Sequence, residues 1–259
     1  MKKIFGFIMA SLLLCCCRQE ESLVLHPGEE YIITEWTLTQ EGSETSYDVE
    51  VPSTVAGVLA DRGVLGEGLM EGDAYYGVDK SMFDKKWIYK TSFSLDVNEG
   101  QHYDLIFNGL NYYADIFFND TCIASSDTTY GVFIKRVYDV TDLLREENEV
   151  EVRIGRAQSG DLNIGFVDWN PRPLDESMGI IQTVKLCASG AVSVEDVYVI
   201  PDLDVETFAE ADLEVRVDLK NRTSVPVCAD IAVAIQGGET CLIPVELAAD
   251  ERKTVVLTP

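Results

Sequence analysis

The stretch Trp87-Ile-Tyr-Lys-Thr-Ser-Phe-Ser-Leu-Asp-Val97 decides the fold class. Trp87, Tyr89, Thr91, Phe93, Leu95 and Val97 fall on one face of an extended chain, and Lys90, Ser92, Ser94 and Asp96 fall on the other. Successive strand side chains point to opposite faces, so this period of two describes a strand half-buried in a sheet. Working outward, shorter runs of the same kind predict strands over Tyr103–Phe107, Ala114–Phe118, Val132–Val137, Glu149–Ile154 and Thr183–Leu186. Asn108-Gly109 and Asn119-Asp120 stand between such runs as turn material. One short helix is predicted over Thr54–Arg62: Pro52-Ser53-Thr54 offers a start, Val55, Val58 and Leu59 share a face, and Gly63 offers a stop. Residues 27–190 are therefore expected to form an all-β sandwich.

A second block, residues 191–259, repeats the pattern. Leu213, Val215, Val217 and Leu219 alternate with polar residues, as do Val227, Ala229, Ile231, Val233 and Ile235, with further candidate strands at Val194–Ile200, Leu242–Leu247 and Lys253–Leu257. These read as strands of an immunoglobulin-type sandwich, which ordinarily takes about seven strands and roughly 100 residues. The block is shorter than that, so the expectation is a partial, truncated immunoglobulin-like sandwich with an open edge.

The chain has 259 residues, 46% of them hydrophobic, enough for one large or two ordinary cores. Residues 1–17 begin with Lys2 and Lys3, continue with an apolar run from Ile4 to Leu14, and end in Cys15, Cys16 and Cys17. This is the layout of an export signal, and the apolar run is too short to remain across a bilayer. The cysteines make Cys15, Cys16 and Cys17 candidates for lipidation, and residues 18–26 read as a linker. The expected location is the outer membrane of a bacterium, on its periplasmic or surface face, through a lipid anchor. The formal charge of −25 becomes −27 once Lys2 and Lys3 leave with the signal. With no basic stretch, such a charge argues against nucleic acid as a partner. Its simplest role is solubility. Cys122, Cys187, Cys228 and Cys241 are the cysteines beyond the signal, and Cys228 with Cys241 is a possible bridge between neighbouring strands. His26 and His102 are the only histidines and lie far apart, so neither a zinc site nor a Ser/His/Asp triad has material, and no cofactor is expected.

Eight segments occur in a telling order: EWTLTQ (35–40), VPSTVAGVLADRG (51–63), DAYYGVD (73–79), FDKKWIYKTSFSL (83–95), FNGLNYYADIFFND (107–120), YDVTDLL (138–144), NEVEVRI (148–154) and GFVDWNPRPLDESMGI (165–180). Together they resemble glycoside hydrolase family 2, and the last is similar to the branch of exo-β-D-glucosaminidases, with β-mannosidases as neighbours. The resemblance implies a jelly-roll (galactose-binding-like) domain followed by an immunoglobulin-like one. It also implies a later TIM barrel carrying two glutamates, and a retaining reaction needs that pair about 5 to 5.5 Å apart. By the family order both lie beyond Pro259, so the chain is expected to be a non-catalytic N-terminal fragment, inactive alone. The implied partner is a β-linked oligosaccharide of amino-sugar or mannose type. Relatives carry an aromatic residue and an arginine after the Gly-Ile pair, where this chain has Ile181 and Gln182.

Asp168, Trp169 and Asn170 are the candidate substrate-binding residues, with Tyr75 and Tyr76 as companions. Asp168 offers a carboxylate to sugar hydroxyls or a glucosamine ammonium, Trp169 offers a flat apolar face, and Pro171 and Pro173 stiffen the loop. The plainer reading has Asp168 capping a turn and Trp169 packing on a neighbouring domain. Asn111 and Gly109 read most simply as turn residues, and Trp87, Tyr89 and Phe93 as core. A stand-alone carbohydrate-binding lipoprotein and a protein-interaction module are the alternative functions.

Overall fold

The computed structural model describes residues 22–163, 169–234 and 240–258. In chain order the first strands are β1 (Leu23–Val24), β2 (Glu30–Ile32), β3 (Glu35–Gln40), β4 (Ser46–Glu50), β5 (Ser53–Thr54), β6 (Trp87–Asp96), β7 (His102–Phe107) and β8 (Leu110–Asn111). They continue with β9 (Tyr113–Phe118), β10 (Thr121–Ala124), β11 (Arg136–Asp139), β12 (Glu147–Gly155), β13 (Gly179–Ile180) and β14 (Val184–Ser189). The helix α1 (Val55–Asp61) follows β5, and Thr54 caps it by accepting from Gly57 N at 3.1 Å.

A seven-stranded sheet runs β10-β9-β12-β6-β3-β4, with β1 added in parallel to β6, and a four-stranded sheet runs β11-β7-β14-β2. The predicted inner face of β6 is real: Trp87, Tyr89, Phe93 and Leu95 are buried. They share one core with Leu105 and Phe107 of β7, Ile116 and Phe118 of β9 and Leu186 of β14. Each fully buried side chain of this size contributes about 1.5–3 kcal/mol relative to exposure, so this core is the main source of stability. A small ladder, β5-β13-β8, closes one end beside α1.

Two expectations for residues 27–190 need correction. The predicted strand Val132–Val137 starts only at Arg136. Gly131 turns the chain with φ +103°, and Phe133 and Ile134 are exposed rather than alternating with a core face. Asn111 is not a turn residue either, for it lies in β8 with its side chain fully buried.

The remaining strands are β15 (Val192–Leu203), β16 (Ala211–Asn221), β17 (Val227–Ala234), β18 (Thr240–Leu247) and β19 (Arg252–Leu257). They form a three-stranded sheet, β15-β16-β19, and a two-stranded one, β17-β18. Val215, Val217, Leu219 and Leu257 from the first meet Val245 and Leu247 from the second. The Cys228–Cys241 bridge does not exist. Cys228 lies opposite Glu246 while Cys241 lies opposite Val233, and both are free thiols. Five residues of offset at about 3.4 Å each far exceed the Cα separation a disulfide spans.

Arg222, just after β16, joins the two strand groups. Its guanidinium is almost wholly buried and reaches Asp104 on β7 at 2.5 Å and Asp139 on β11 at 2.7 Å. Asp104 and Asp139 are themselves directly opposed in the β7–β11 pairing, so Arg222 neutralises two facing carboxylates. Lys135 adds a hydrogen bond to the Glu195 carbonyl across the same junction.

Candidate functional site

The loop that leaves β12 and returns as β13 carries most of the candidate residues. Asp168 lies outside the described residues, as do Cys15, Cys16 and Cys17. Trp169 is 80% exposed and Asn170 is exposed too, so Trp169 does not pack on a neighbouring domain among the described residues. The chain then dives inward through Leu174 and Met178, both in the main core.

Between these two anchors stand Glu176 and Ser177, consecutive non-glycine residues with φ of +57° and +58°. Left-handed backbone costs an L-residue about 1–2 kcal/mol, so the surroundings must hold the turn in place. Several side chains do so. Asn111 Nδ2 donates to the carbonyls of Glu176 (2.9 Å) and Ser177 (2.7 Å). Asn163 Nδ2 donates to the Glu176 carbonyl and carboxylate, and Arg172 Nε donates to both Glu176 carboxylate oxygens at 2.8 and 2.9 Å. Asp175, 1% exposed, accepts from Ser177 N at 2.9 Å and from Ala56 N of α1 at 2.7 Å. Sequence reasoning missed Asn111, Asn163, Arg172, Asp175 and Glu176 in this role. Asp175 and Glu176 lie in the polar run DESMGI, but nothing in the neighbouring sequence marks their partners.

The tyrosines come to the same place. The Tyr75 hydroxyl donates to the Arg172 carbonyl at 2.5 Å, and Tyr76, 70% exposed, stands edge-on to Tyr75 with ring centroids 5.7 Å apart. Burial and then the Asp175 charge push the Tyr75 phenol up from its ordinary value. So the structure brings Tyr75 and Tyr76 together with the loop that presents Trp169 and Asn170. Near the start of the loop, Tyr113 donates to the Asp161 carboxylate at 2.9 Å and packs on Tyr112 at 4.8 Å between centroids. Gln182 fills the place beside Gly109, where a Cβ would lie 2.6 Å from Gln182 Cγ.

The electrostatics single out Asp175. Burial pushes its carboxyl up to about 6, against the pull of its backbone N–H donors, and the Glu176 charge adds to the rise. Tyr89, wholly buried on β6, is pushed up mainly by burial, and its hydroxyl has no hydrogen-bond partner among the described residues. No group of three or more His, Cys, Asp or Glu side chains able to hold a metal occurs among the described residues. What the arrangement offers chemically is a braced loop displaying an indole and an amide, tied at Arg172 to a neighbouring turn that carries two phenols. That is a surface for stacking and hydrogen bonding.

Comparison with known proteins gives this surface a setting. Residues 36–164 match the family described as glycosyl hydrolase 2 galactose-binding domain-like. An exo-β-D-glucosaminidase of Hypocrea jecorina is 33% identical over 212 residues, which cover 79% of this chain and 24% of that protein. An exo-β-D-glucosaminidase of Streptomyces avermitilis is 34% identical over 184 residues, 70% of this chain and 20% of that protein. The solved exo-chitosanase of Amycolatopsis orientalis superposes with a TM-score of 0.81 at 27% identity, over 90% of this chain and 29% of that one. The chain thus spans about a quarter of the length of the curated relatives it matches.

Proposed function

Given that this chain belongs to glycoside hydrolase family 2, we propose that it is the N-terminal, non-catalytic part of an exported exo-β-glycosidase acting on amino-sugar or mannose-type oligosaccharides. In this reading the jelly roll lends the loop around Trp169 to the sugar pocket of a catalytic barrel. An exo-acting enzyme must wall off the non-reducing end of its substrate, and a braced loop from a neighbouring domain does so at little entropic cost. The observation that carries the reading is an 80%-exposed Trp169 on a loop pinned by buried side chains, with Tyr75 and Tyr76 alongside. Asp168 supplies the charge-assisted contact to an ammonium or paired hydroxyls. The two carboxylates of the retaining reaction are assigned to no residue of this chain.

The test is titration of the labelled chain with a glucosamine dimer, followed through the Trp169 indole resonance. Half a pocket binds weakly, so saturation is expected only at millimolar ligand or above, about −4 kcal/mol or less favourable. A Trp169 resonance that ignores the dimer while a surface tyrosine elsewhere responds would sink the reading. Residues 1–17 support export with a lipid on Cys15, Cys16 or Cys17, and intact-mass analysis of the native N-terminus tests that assignment.

A further inference from the structure

Asp175 is a buried carboxylate without a cationic partner among the described residues. The other buried acid, Glu151, is paired with Lys90 and Arg153. The two oxygens of Asp175 hold two different elements, α1 through Ala56 N and the 176–177 turn through Ser177 N. The same turn is gripped from its other side by Asn111, and through Glu176 it is tied to Arg172, whose carbonyl receives Tyr75. The groups facing Asp175 are Tyr89 from β6, Tyr75 from the 74–77 turn and Glu176 from its own loop, while the Arg172 guanidinium is engaged by Glu176. Two orphaned atoms lie in the same cluster: the Tyr89 hydroxyl and Asn111 Oδ1 are buried with no hydrogen-bond partner among the described residues.

A carboxylate costs free energy to bury without a cation, and a neutral side chain of the same shape would avoid that cost. A carboxylate so placed calls for a role, and the geometry supplies one. We propose that Asp175 is a positioning residue: by stapling Ser177 to Ala56, its carboxylate fixes where the loop presents Trp169 and Asn170 to sugar. This rests on the pocket reading above for its purpose, though the coupling between Asp175 and Trp169 stands on this chain alone. A proton on Asp175 turns one accepting oxygen into a donor and loosens one of the two staples.

Because the carboxyl titrates near 6, the coupling is readable without any variant. In amide and indole NMR spectra of the whole chain between about pH 4.5 and 8, the Ala56 and Ser177 amides and the Trp169 indole N–H are expected to shift with one shared midpoint. The Trp36 and Trp87 indoles, which donate to Ile33 and Met82 carbonyls, serve as controls and should stay still. In Asp175→Asn the shared midpoint should vanish. If Ala56 and Ser177 titrate together while Trp169 does not, Asp175 is only a buried acid and the proposal falls. It falls equally if neither amide titrates in this range. Adding the glucosamine dimer separates the two ideas: a shared midpoint with no response of Trp169 to the dimer counts against the pocket alone.

Discussion

At Gly179 the room for a side chain has vanished: a Cβ there would sit 2.3 Å from the Ser53 carbonyl oxygen and 2.9 Å from Thr54 Cα. Both obstacles are backbone, so Gly179→Ala must push β13 off β5, and the expected loss is about 1–3 kcal/mol in urea unfolding. Asn111→Ala removes two donated hydrogen bonds, leaving the Ser177 carbonyl without its side-chain donor and the Glu176 carbonyl with Asn163 alone, for an expected loss of about 2 kcal/mol by the same measurement. Asp175 acts in the opposite sense near neutral pH. Its folded-state carboxyl is raised from 3.8 to about 6, so the folded form binds the proton more tightly than the unfolded one. The stabilisation it contributes is complete below about pH 4 and is lost as pH rises through about 6. The wild-type unfolding free energy minus that of Asp175→Asn should therefore fall by something on the order of 3 kcal/mol from pH 4 to 7. None of these roles was legible locally. Asn111 reaches 65 and 66 residues along the chain and Asp175 reaches 119, so neighbouring sequence carries no trace of either contact.

Elements were far easier to read, because alternation and turn chemistry act over a few residues. Strand β6 is found where period two placed it, and α1 begins after Thr54 as its cap required. The predicted strand at 132–137 failed because Gly131 turns the chain and, although Val132 is buried, Phe133 and Ile134 are displayed to solvent. The cysteine pairing failed because spacing in sequence does not reveal register, which the β17–β18 ladder alone decides. The candidate loop shows the same limit: DWNPRP marked which residues to watch, but its bracing depends on β8 and α1, which only the fold brings near. At the β9–β10 tip, Asn119 and Asp120 have φ of +47° and +67°. Asn119 belongs there, since its side chain is tied to Leu143 and Asn148. Asp120, its side chain 90% exposed, serves the turn less well than glycine would. Asp120→Gly is thus expected to raise stability by about 0.5–1 kcal/mol, seen as a higher melting temperature with an unchanged circular dichroism spectrum.

Across the whole molecule the two strand groups are unequal partners, joined by Arg222 with Lys135 beside it. The β15–β19 group has six buried apolar side chains in its core among the described residues, and the principal core draws on every sheet of the first group. Arg222→Met would leave Asp104 and Asp139 facing each other unpaired, and a loss of about 3 kcal/mol is expected, with limited proteolysis then cutting beyond Gly190 first. Burial raises the Asp139 carboxyl, but hydrogen bonds from Thr141 and the Arg222 charge outweigh it and hold the group below its ordinary value. That contribution is present above about pH 4 and is lost as pH falls, so acid should loosen this junction in the wild type. The parallel pairing of β1 with β6 reaches further than its two residues suggest. Leu23 lies against Leu95, at the end of β6, whereas the candidate loop departs from β12 beside Trp87, at its beginning. A lipid on Cys17, the last of the three candidate cysteines, would be separated from β1 by five residues, a leash of at most about 22 Å. Ten residues of β6 amount to roughly 30 Å between its two ends. The leash is shorter than the strand, so a tethered sandwich would stand on the bilayer by its β1 end and hold Trp169 outward, toward diffusing polysaccharide.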